Sequence, residues 1–378
     1  MGCSPSICAA GKRKNNLNIL EVAIFVPSMC VPLQTDLQRA LRGGSTVTEL
    51  QRALEDYLPL LLGLTNKEPG LQEVVAFKWK YSEDGLEVCV ANSWFELLSV
   101  IHMMAMLTLT EANSMLISEN QSDCMRDAVD LLLKASGYLE FCVRDVLVRL
   151  PTDIKKQLPK DLQEGILEAI SIQALGQGTE IQLGLAVNSQ NVSLPVKRRL
   201  ACEQLSYYGQ AHYCLSGCNT DSRHGKKHLL FIKWKYLEAK AAAYYYHGQI
   251  IDKGTEPSCH VSAVHCFLAA EDLLSESKKA CLTFCLTAPV TRIPPLWGAM
   301  KHLNKRIPDV ASKKSQMYGF LLEQEKGLEI LPDLPEFELS LRSDDFELPE
   351  MDSAWGRQKW EIPSQPLKEH LKDSEDEM

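Results

Sequence analysis

The sequence lacks an excess of basic residues and a long apolar run. Its 49 acidic residues outnumber its 40 basic ones, for a net charge of -9, which argues against nucleic acid as the main partner because phosphate binding needs a basic surface. The longest apolar stretch, Leu97 to Leu109, lies between Glu96 and Glu111 and is too short to span a bilayer. We predict a buried core helix there. No apolar core directly follows Met1, so no cleavable signal peptide is expected.

The chain also lacks closely spaced cysteine pairs, although it contains 13 cysteines. The pairs Cys214/Cys218 and Cys281/Cys285 are four residues apart, which fits one face of a helix better than a zinc knuckle. We therefore predict no metal site and no cofactor. Other cysteines fall in helical patterns, as expected for reduced, buried thiols of an intracellular protein: Cys124, Cys142, Cys202 and Cys266.

No catalytic constellation stands out. The glycines of Gly176-Gln177-Gly178 and Gly184 resemble a nucleotide-binding loop only superficially, since no strand precedes them. No serine or cysteine can be paired with a histidine base from the sequence. The chain is therefore predicted not to be an enzyme and to have no small-molecule substrate.

The N-terminus carries the most specific short motif. Gly2 would be exposed after removal of Met1, and Ser6 lies at the offset typical of N-myristoylation. Cys3 is a natural palmitoylation site, and Cys8 is a second candidate. Stable anchoring requires a second acyl chain or a basic patch, and the basic residues Lys12, Arg13 and Lys14 follow. We predict a lipid-anchored, disordered segment over residues 1–16; the alternative is a chance match in a disordered terminus.

The remaining pattern predicts a mostly α-helical solenoid with a small N-terminal β hairpin. Residues 75–81 alternate aromatic and basic side chains, and a turn and a returning strand over residues 86–90 follow. A second short strand is predicted over residues 21–26. Long helical patterns with short connectors indicate stacked antiparallel hairpins. The predicted helices cover residues 33–62, 92–120, 122–150, 162–187, 195–215, 227–252, 261–286 and 312–329.

From residue 331 the chain becomes rich in proline and acidic residues, which is typical of an extended segment. We place the folded domain at residues 17–345 and an acidic, proline-containing tail at 346–378. The stretches 77–81 and 231–236 nearly repeat an aromatic and basic pattern. This pattern would suit a membrane interface, but inward-packed aromatics with outward lysines are favoured.

The helix predicted over residues 195–215 has two apolar stripes. Val196, Leu200, Tyr207 and Ala211 form one, and Ala201, Leu205, Tyr208 and His212 form the other. A surface helix needs only one stripe. This helix is therefore either packed on both sides or has one core side and one ligand side.

The order of several short motifs resembles the BRO-domain family of Alix-like, ESCRT-associated proteins, and in particular its small BRO-only, BROX-type members. The resemblance covers residues 20–335, and the order and spacing of the motifs carry it. The motifs are Phe77-Lys78-Trp79-Lys80, Ser93-Trp94-Phe95-Glu96, Asp127-Ala128-Val129, Ala135 to Leu139, Ile172 to Glu180, and Leu205 to Ala211.

The resemblance implies a boomerang-shaped solenoid with a tetratricopeptide-like core. It also implies that a groove binds the C-terminal amphipathic helix of an ESCRT-III subunit in endosomal sorting and membrane remodelling. Apolar contact residues of the family match Val196 and Leu200 here, and Leu183 less securely; Tyr207 continues the same stripe.

Three functions remain open at this point. The first is an ESCRT-III adaptor at the cytoplasmic face of an endosomal or plasma membrane, with part of the protein in the cytosol. The second is a lipid-anchored helical signalling scaffold without ESCRT-III binding. The third, an enzyme with a helical fold, would need a pocket of perturbed titratable groups.

Overall fold

The computed structural model describes residues 26, 30–32, 46–65, 70–81, 87–118, 122–220, 222–324 and 331–355. The predicted lipidation residues Gly2, Cys3 and Cys8 lie outside these ranges, as does the basic run Lys12 to Lys14. Of the strand predicted over residues 21–26, only Val26 is described, and it is not in a strand.

Ten α-helices and three short strands make up the described part of the chain. The strands are β1 (Cys30–Pro32), β2 (Phe77–Tyr81) and β3 (Glu87–Val90). The helices are α1 (Val47–Thr65), α2 (Ser93–Ser118), α3 (Ser122–Phe141), α4 (Thr152–Gln157), α5 (Glu164–Asn188), α6 (Leu194–Ser216), α7 (Arg223–Ile251), α8 (Pro257–Leu286), α9 (Met300–Met317) and α10 (Gly319–Gln324).

The three strands form one antiparallel sheet in the order β1-β2-β3. The predicted hairpin is present, with Phe77 opposite Val90 and Trp79 opposite Val88. β1 was not predicted. Phe77 and Trp79 are buried while Lys78 and Lys80 are exposed, so the packing interpretation of the first aromatic and basic stretch is confirmed.

The N-terminal helices have local signals that match their sequence. The side chain of Glu49 accepts a hydrogen bond from the Thr46 amide, and the Thr46 hydroxyl accepts one from the Glu49 amide. This reciprocal capping box begins α1. α2 is long and apolar enough to cross a membrane, but 94% of its most apolar window is buried in the protein. It is therefore the core helix that the sequence predicted.

Successive long helices pack on one another along the chain. The main contacts join α2 to α3, α3 to α5, α5 to α6, α6 to α7, and α7 to α8, and α9 packs on α8. Such neighbour-to-neighbour packing defines a helical solenoid. The predicted fold class, mostly α with a small N-terminal sheet, is confirmed.

Two helix boundaries differ clearly from the predicted ones. The helix predicted to run to residue 150 leaves α geometry after Phe141, and continues as a π turn over Cys142–Val146 and a 3-10 turn over Leu147–Arg149. α9 begins at Met300, whereas the sequence predicted a start at residue 312. Proline normally ends a helix, but Pro308 lies inside this one. Its buried residues Leu303, Ile307 and Ala311 keep helical spacing across the proline.

Residues 331–355 form an extended strap that crosses the helices from α6 to α1. Tyr207 on α6 donates a hydrogen bond to the carbonyl of Leu341 at 2.6 Å, and the amide of Asp344 donates to the Leu133 carbonyl on α3. The strap ends at α1, where the Trp355 indole donates to the Leu60 carbonyl at 3.0 Å. We call residues 331–355 the C-terminal strap.

The strap extends past the predicted domain boundary at residue 345. Phe346 packs edge-on against Tyr138 and Phe141 of α3, with ring centroids 4.8 and 5.2 Å away. The amide of Asp352 donates to the Pro59 carbonyl of α1. Packing contacts therefore continue past residue 345, where acidic residues obscure the apolar ones in the sequence.

Two glycines allow the strap to lie this close to the helices. A Cβ atom at Gly137 would be 2.2 Å from the Asp344 carbonyl oxygen, and one at Gly63 would be 2.0 Å from the Trp355 ring. These distances are too short for non-bonded atoms. Glycine is therefore required at both positions while the strap is in place.

Candidate partner-binding site

The N-terminal half of α6 presents an open apolar face. Pro195 lies in its first turn, where a missing amide hydrogen removes no helical hydrogen bond. Val196 follows and is 46% exposed, while Leu200, one turn later, is half-buried against the neighbouring core. An exposed valine beside a half-buried leucine at a spacing of four residues leaves an apolar strip that a second helix can cover.

The other two predicted partner-binding residues are not on this surface. Leu183 of α5 is buried among Ala201, Ala299 and Met300. Tyr207 is also buried, and its hydroxyl is bonded to the strap. Neither side chain is accessible in this arrangement, in which both support the fold around the site. Their contact with a partner stays a prediction.

The N-terminal and C-terminal halves of α6 differ in how the two apolar stripes are covered. In the C-terminal half, Tyr207, Tyr208 and Ala211 are all buried, so this half is packed on both sides. The N-terminal half buries Ala201 but leaves Val196 open. Among the apolar residues of the two stripes, Val196 is the one left exposed.

Three consecutive basic residues lie between Val196 and Leu200. Lys197 donates a hydrogen bond to the carbonyl of Ser189, and Arg199 donates one to the carbonyl of Glu338. Arg199 also forms an ion pair with the buried carboxylate of Glu203 at 2.6 Å. The Ser189 contact leaves the positive charge of Lys197 without a carboxylate there, so the apolar strip has a basic border.

Arg198 joins this border to the strap and to α7. Its guanidinium lies 5.8 Å from the centre of the Phe337 ring, and its Nη1 is 3.3 Å from Nδ1 of His247. Burial and the nearby Arg198 charge lower the pKa of His247, so the imidazole is neutral at pH 7. The basic border is therefore held in place by packing.

A buried ionic cluster lies between α5, α6 and α7. Lys235 of α7 forms ion pairs with Glu180 at 2.8 Å and with Glu238 at 3.0 Å. Burial opposes the charged form of Lys235, but the two carboxylates outweigh it and raise the pKa. Burial raises the pKa of Glu180 despite Lys235, and Tyr208 donates a hydrogen bond to it. The second aromatic and basic stretch was thus only partly predicted, since Lys233 is exposed but Lys235 faces the core.

The candidate metal and thiol residues give no further site in the described part of the chain. No group of three His, Cys, Asp or Glu residues there could hold a metal ion. Cys142, Cys202 and Cys266 are buried, and Cys124 is half-buried. Their burial agrees with the reduced-thiol prediction.

Sequence reasoning missed the basic border and the strap. The apolar stripes of α6 give no indication of a role for the basic residues among them, which are Lys197, Arg198 and Arg199. The strap had a readable signal, since Phe337, Leu339 and Leu341 alternate with the exposed Glu338 and Ser340. This period of two is typical of an extended segment with one packed face.

The fold and the site together define a helical-solenoid protein with an apolar, basic-bordered helix face and a strapped C-terminal segment. No family model matches the chain. The BRO1 domain-containing protein BROX homolog of Caenorhabditis elegans is 24% identical over 273 residues, which cover 67% of this chain and 62% of the relative. The matched region thus spans less than two thirds of that relative.

Solved structures with the same fold include two of ALIX. The ALIX BRO1 CHMP4C complex has a TM-score of 0.63 at 15% identity and covers 88% of this chain and 98% of that one. ALIX in complex with the SIVmac239 PYKEVTEDL late domain has a TM-score of 0.61 at 14% identity, covering 87% of this chain and 50% of that one. The structure described as a basis for endosomal targeting by the Bro1 domain has a TM-score of 0.57 at 14% identity, with 88% and 94% covered.

The resemblance to the BRO-domain family is confirmed. The chain has a BRO-domain fold, and its sequence is similar to that of a BROX homolog.

Proposed function

We propose that this chain is a non-catalytic adaptor that binds the C-terminal amphipathic helix of an ESCRT-III subunit on the N-terminal half of α6, and that it acts in endosomal sorting and membrane remodelling. The observation that carries the proposal is the exposed Val196 beside Leu200, on the helix of a fold that is shared with an ALIX BRO1 CHMP4C complex.

The chemistry of this face suits a helical ligand. Val196 and Leu200 are one helical turn apart, so they match anchors at positions i and i+4 of an amphipathic helix. A few central apolar contacts carry most of the affinity in such interfaces. The basic border of Lys197 and Arg198 favours a ligand with acidic side chains beside its apolar stripe.

The adaptor would act at a membrane through its N-terminus. Myristoylation of Gly2 with acylation of Cys3 or Cys8, next to Lys12, Arg13 and Lys14, would supply the two signals that stable anchoring needs. Localisation at the cytoplasmic face of endosomes or of the plasma membrane, with a cytosolic pool, follows from that mechanism.

A binding titration with a fluorescent ESCRT-III C-terminal peptide tests the proposal. We expect Val196→Asp to weaken binding by about tenfold or more, because the carboxylate would have to be desolvated at an apolar anchor. Leu200→Asp should weaken it as well. Because Val196 is exposed, its substitution leaves the helices intact, which circular dichroism can verify.

The matched control is Leu268→Asp. Leu268 is a similarly exposed leucine on α8, away from the proposed groove, and its substitution should leave binding unchanged. If Val196→Asp remains folded and binds with wild-type affinity, the groove lies elsewhere or the chain does not bind ESCRT-III.

A further inference from the structure

A second concave site lies between α7, α8 and the extended segment that leads into α9. It is a cavity of about 350 Å³ with Trp234 and Trp297 in its walls. We call it the α7–α9 pocket. Its volume is at the lower end of the range of ligand sites, which is enough for one or two side chains of a partner.

The lip of this pocket is apolar and open to solvent. Leu282 of α8 and Ile293 and Leu296 of the extended segment all line the pocket, and all three are exposed, Ile293 by 66%. Exposed apolar residues gathered around a cavity mark an interaction site more reliably than scattered ones. Their position at the mouth means that an inserted side chain would cover them.

The floor of the pocket already holds a cation. The Lys235 ammonium lies 4.5 Å from the centre of the Trp234 ring and 5.3 Å from that of Trp297. It is neutralised by Glu180 and Glu238. The aromatic walls are therefore not a cage for a ligand cation, and the remaining space is apolar.

Basic residues predominate beside the mouth. Lys278 lines the pocket and is exposed. Arg292, Lys301 and Lys305 each adjoin a lining residue in the sequence, as does the acidic Glu276. None of the four basic residues makes an ion pair with another residue of the described part of the chain. An excess of unpaired basic residues beside an apolar opening favours an acidic partner.

The pocket wall also contains unsatisfied polar atoms. Nε1 of Trp297 and Oδ1 of Asn304 are buried and have no hydrogen-bond partner among the described residues. A buried polar atom left unpaired costs about 1–3 kcal/mol. A peptide group that hydrogen-bonds with these atoms would recover part of that cost.

We propose that the α7–α9 pocket binds a short segment of a partner protein that inserts one large apolar side chain and carries Asp or Glu residues on either side of it. This site is separate from the α6 face and does not depend on ESCRT-III binding. The inserted side chain packs between Trp234 and Leu282, and the flanking carboxylates face the basic rim.

A phage-displayed library of random dodecapeptides, panned against the full chain, provides the probe. We expect enriched peptides with a large apolar residue flanked by acidic ones. The best peptide should lose about tenfold or more in affinity on Leu282→Asp or Ile293→Asp, and severalfold on the charge reversal Lys278→Glu. It should be unaffected by Val196→Asp, which distinguishes this site from the α6 face.

Val290→Asp is the matched control, since Val290 is as exposed as Ile293 in the same segment but does not line the pocket. Should Leu282→Asp unfold the chain, the loop variant Ile293→Asp decides the matter. The proposal is overturned if no enriched peptide is sensitive to Ile293→Asp, or if binding is indifferent to Lys278→Glu. It is also overturned if a peptide of residues 356–378 or an anionic vesicle occupies the pocket instead.

Discussion

At the scale of single residues, the buried charges determine how the core responds to substitution and to pH. Lys235 and Glu96 are both buried and both have polar partners, yet they respond differently. Lys235 is held charged by two carboxylates. Among the described residues, the donors to Glu96 are neutral: the Trp79 indole at 2.6 Å and the Tyr57 hydroxyl at 3.4 Å.

Lys235→Met is expected to destabilise the protein by about 3–5 kcal/mol, because it leaves Glu180 and Glu238 buried together without a cation. Urea unfolding followed by circular dichroism measures the change. Lys233→Met, on the exposed side of the same helix, should change stability little. A Lys235→Met protein as stable as the wild type would show that the cluster is unimportant.

Glu96 should give the stability of the protein a pH dependence opposite to the one that an ion-paired carboxylate gives. Burial raises the pKa of Glu96 from 4.5 to about 7, while the Trp79 and Tyr57 hydrogen bonds oppose the rise. The folded state therefore binds a proton on Glu96 more tightly than the unfolded state does. The resulting contribution to the free energy of unfolding is complete below pH 4.5 and is lost as the pH rises through 7.

Glu96→Gln should remove this dependence, because the amide is neutral and its oxygen still accepts from Trp79. Relative to the wild type, the free energy of unfolding of the variant should rise by on the order of 3 kcal/mol between pH 4.5 and 8. Urea titrations at both ends of that range measure the gain, with Glu111→Gln on the same helix as the control. An equal difference at both pH values would contradict the argument.

At the scale of elements, the C-terminal strap joins helices that are distant in sequence. It is held at α6 by Glu203, which accepts hydrogen bonds from the amide and hydroxyl of Ser340. It is held at α3 by Ser136, whose hydroxyl is 2.8 Å from that of Ser343. The strap thus joins α6 to α3, and through Trp355 to α1.

Truncation tests the last part of the strap. A chain ending at Asp345 loses the contacts of Phe346, Leu348 and Trp355, and we expect it to be about 2–4 kcal/mol less stable than one ending at Trp355. Thermal melts of the two truncated proteins measure the difference. Equal melting temperatures would mean that the original boundary at residue 345 was correct after all.

At the scale of the whole molecule, the proposed adaptor combines a groove, a solenoid and an anchor. The described helices bury two apolar cores, one centred on α2 and α3 and the other on α7 and α8.

Gly2→Ala is expected to release the full-length protein from membranes, because it removes the site of the first acyl chain, and one signal alone anchors only marginally. Cys3→Ser should weaken membrane residence without abolishing it. Membrane fractionation checks both, with Ser4→Ala as the control. An unchanged membrane fraction for Gly2→Ala would refute the anchor.

The sequence alone determined the order of the helices, the β2–β3 hairpin and the burial of α2. These features depend on local spacing, such as the alternation of Phe77, Trp79 and their lysine neighbours, and on the apolar run of Leu97 to Leu109. Local spacing is encoded within a few residues. Of the four predicted partner-binding residues, the structure leaves Val196 exposed and Leu200 half-buried.

Only the tertiary structure decided what covers each apolar face. Periodicity places Tyr207 in an apolar stripe and the family resemblance points to Leu183, but neither shows that the strap and α9 lie over these residues. Periodicity likewise predicts that Lys235 faces outward. In the structure it faces the core, where it pairs with Glu180, 55 residues away. Residues far apart in sequence meet only when the chain folds, so the partners that bury a side chain cannot be read from its neighbours in sequence.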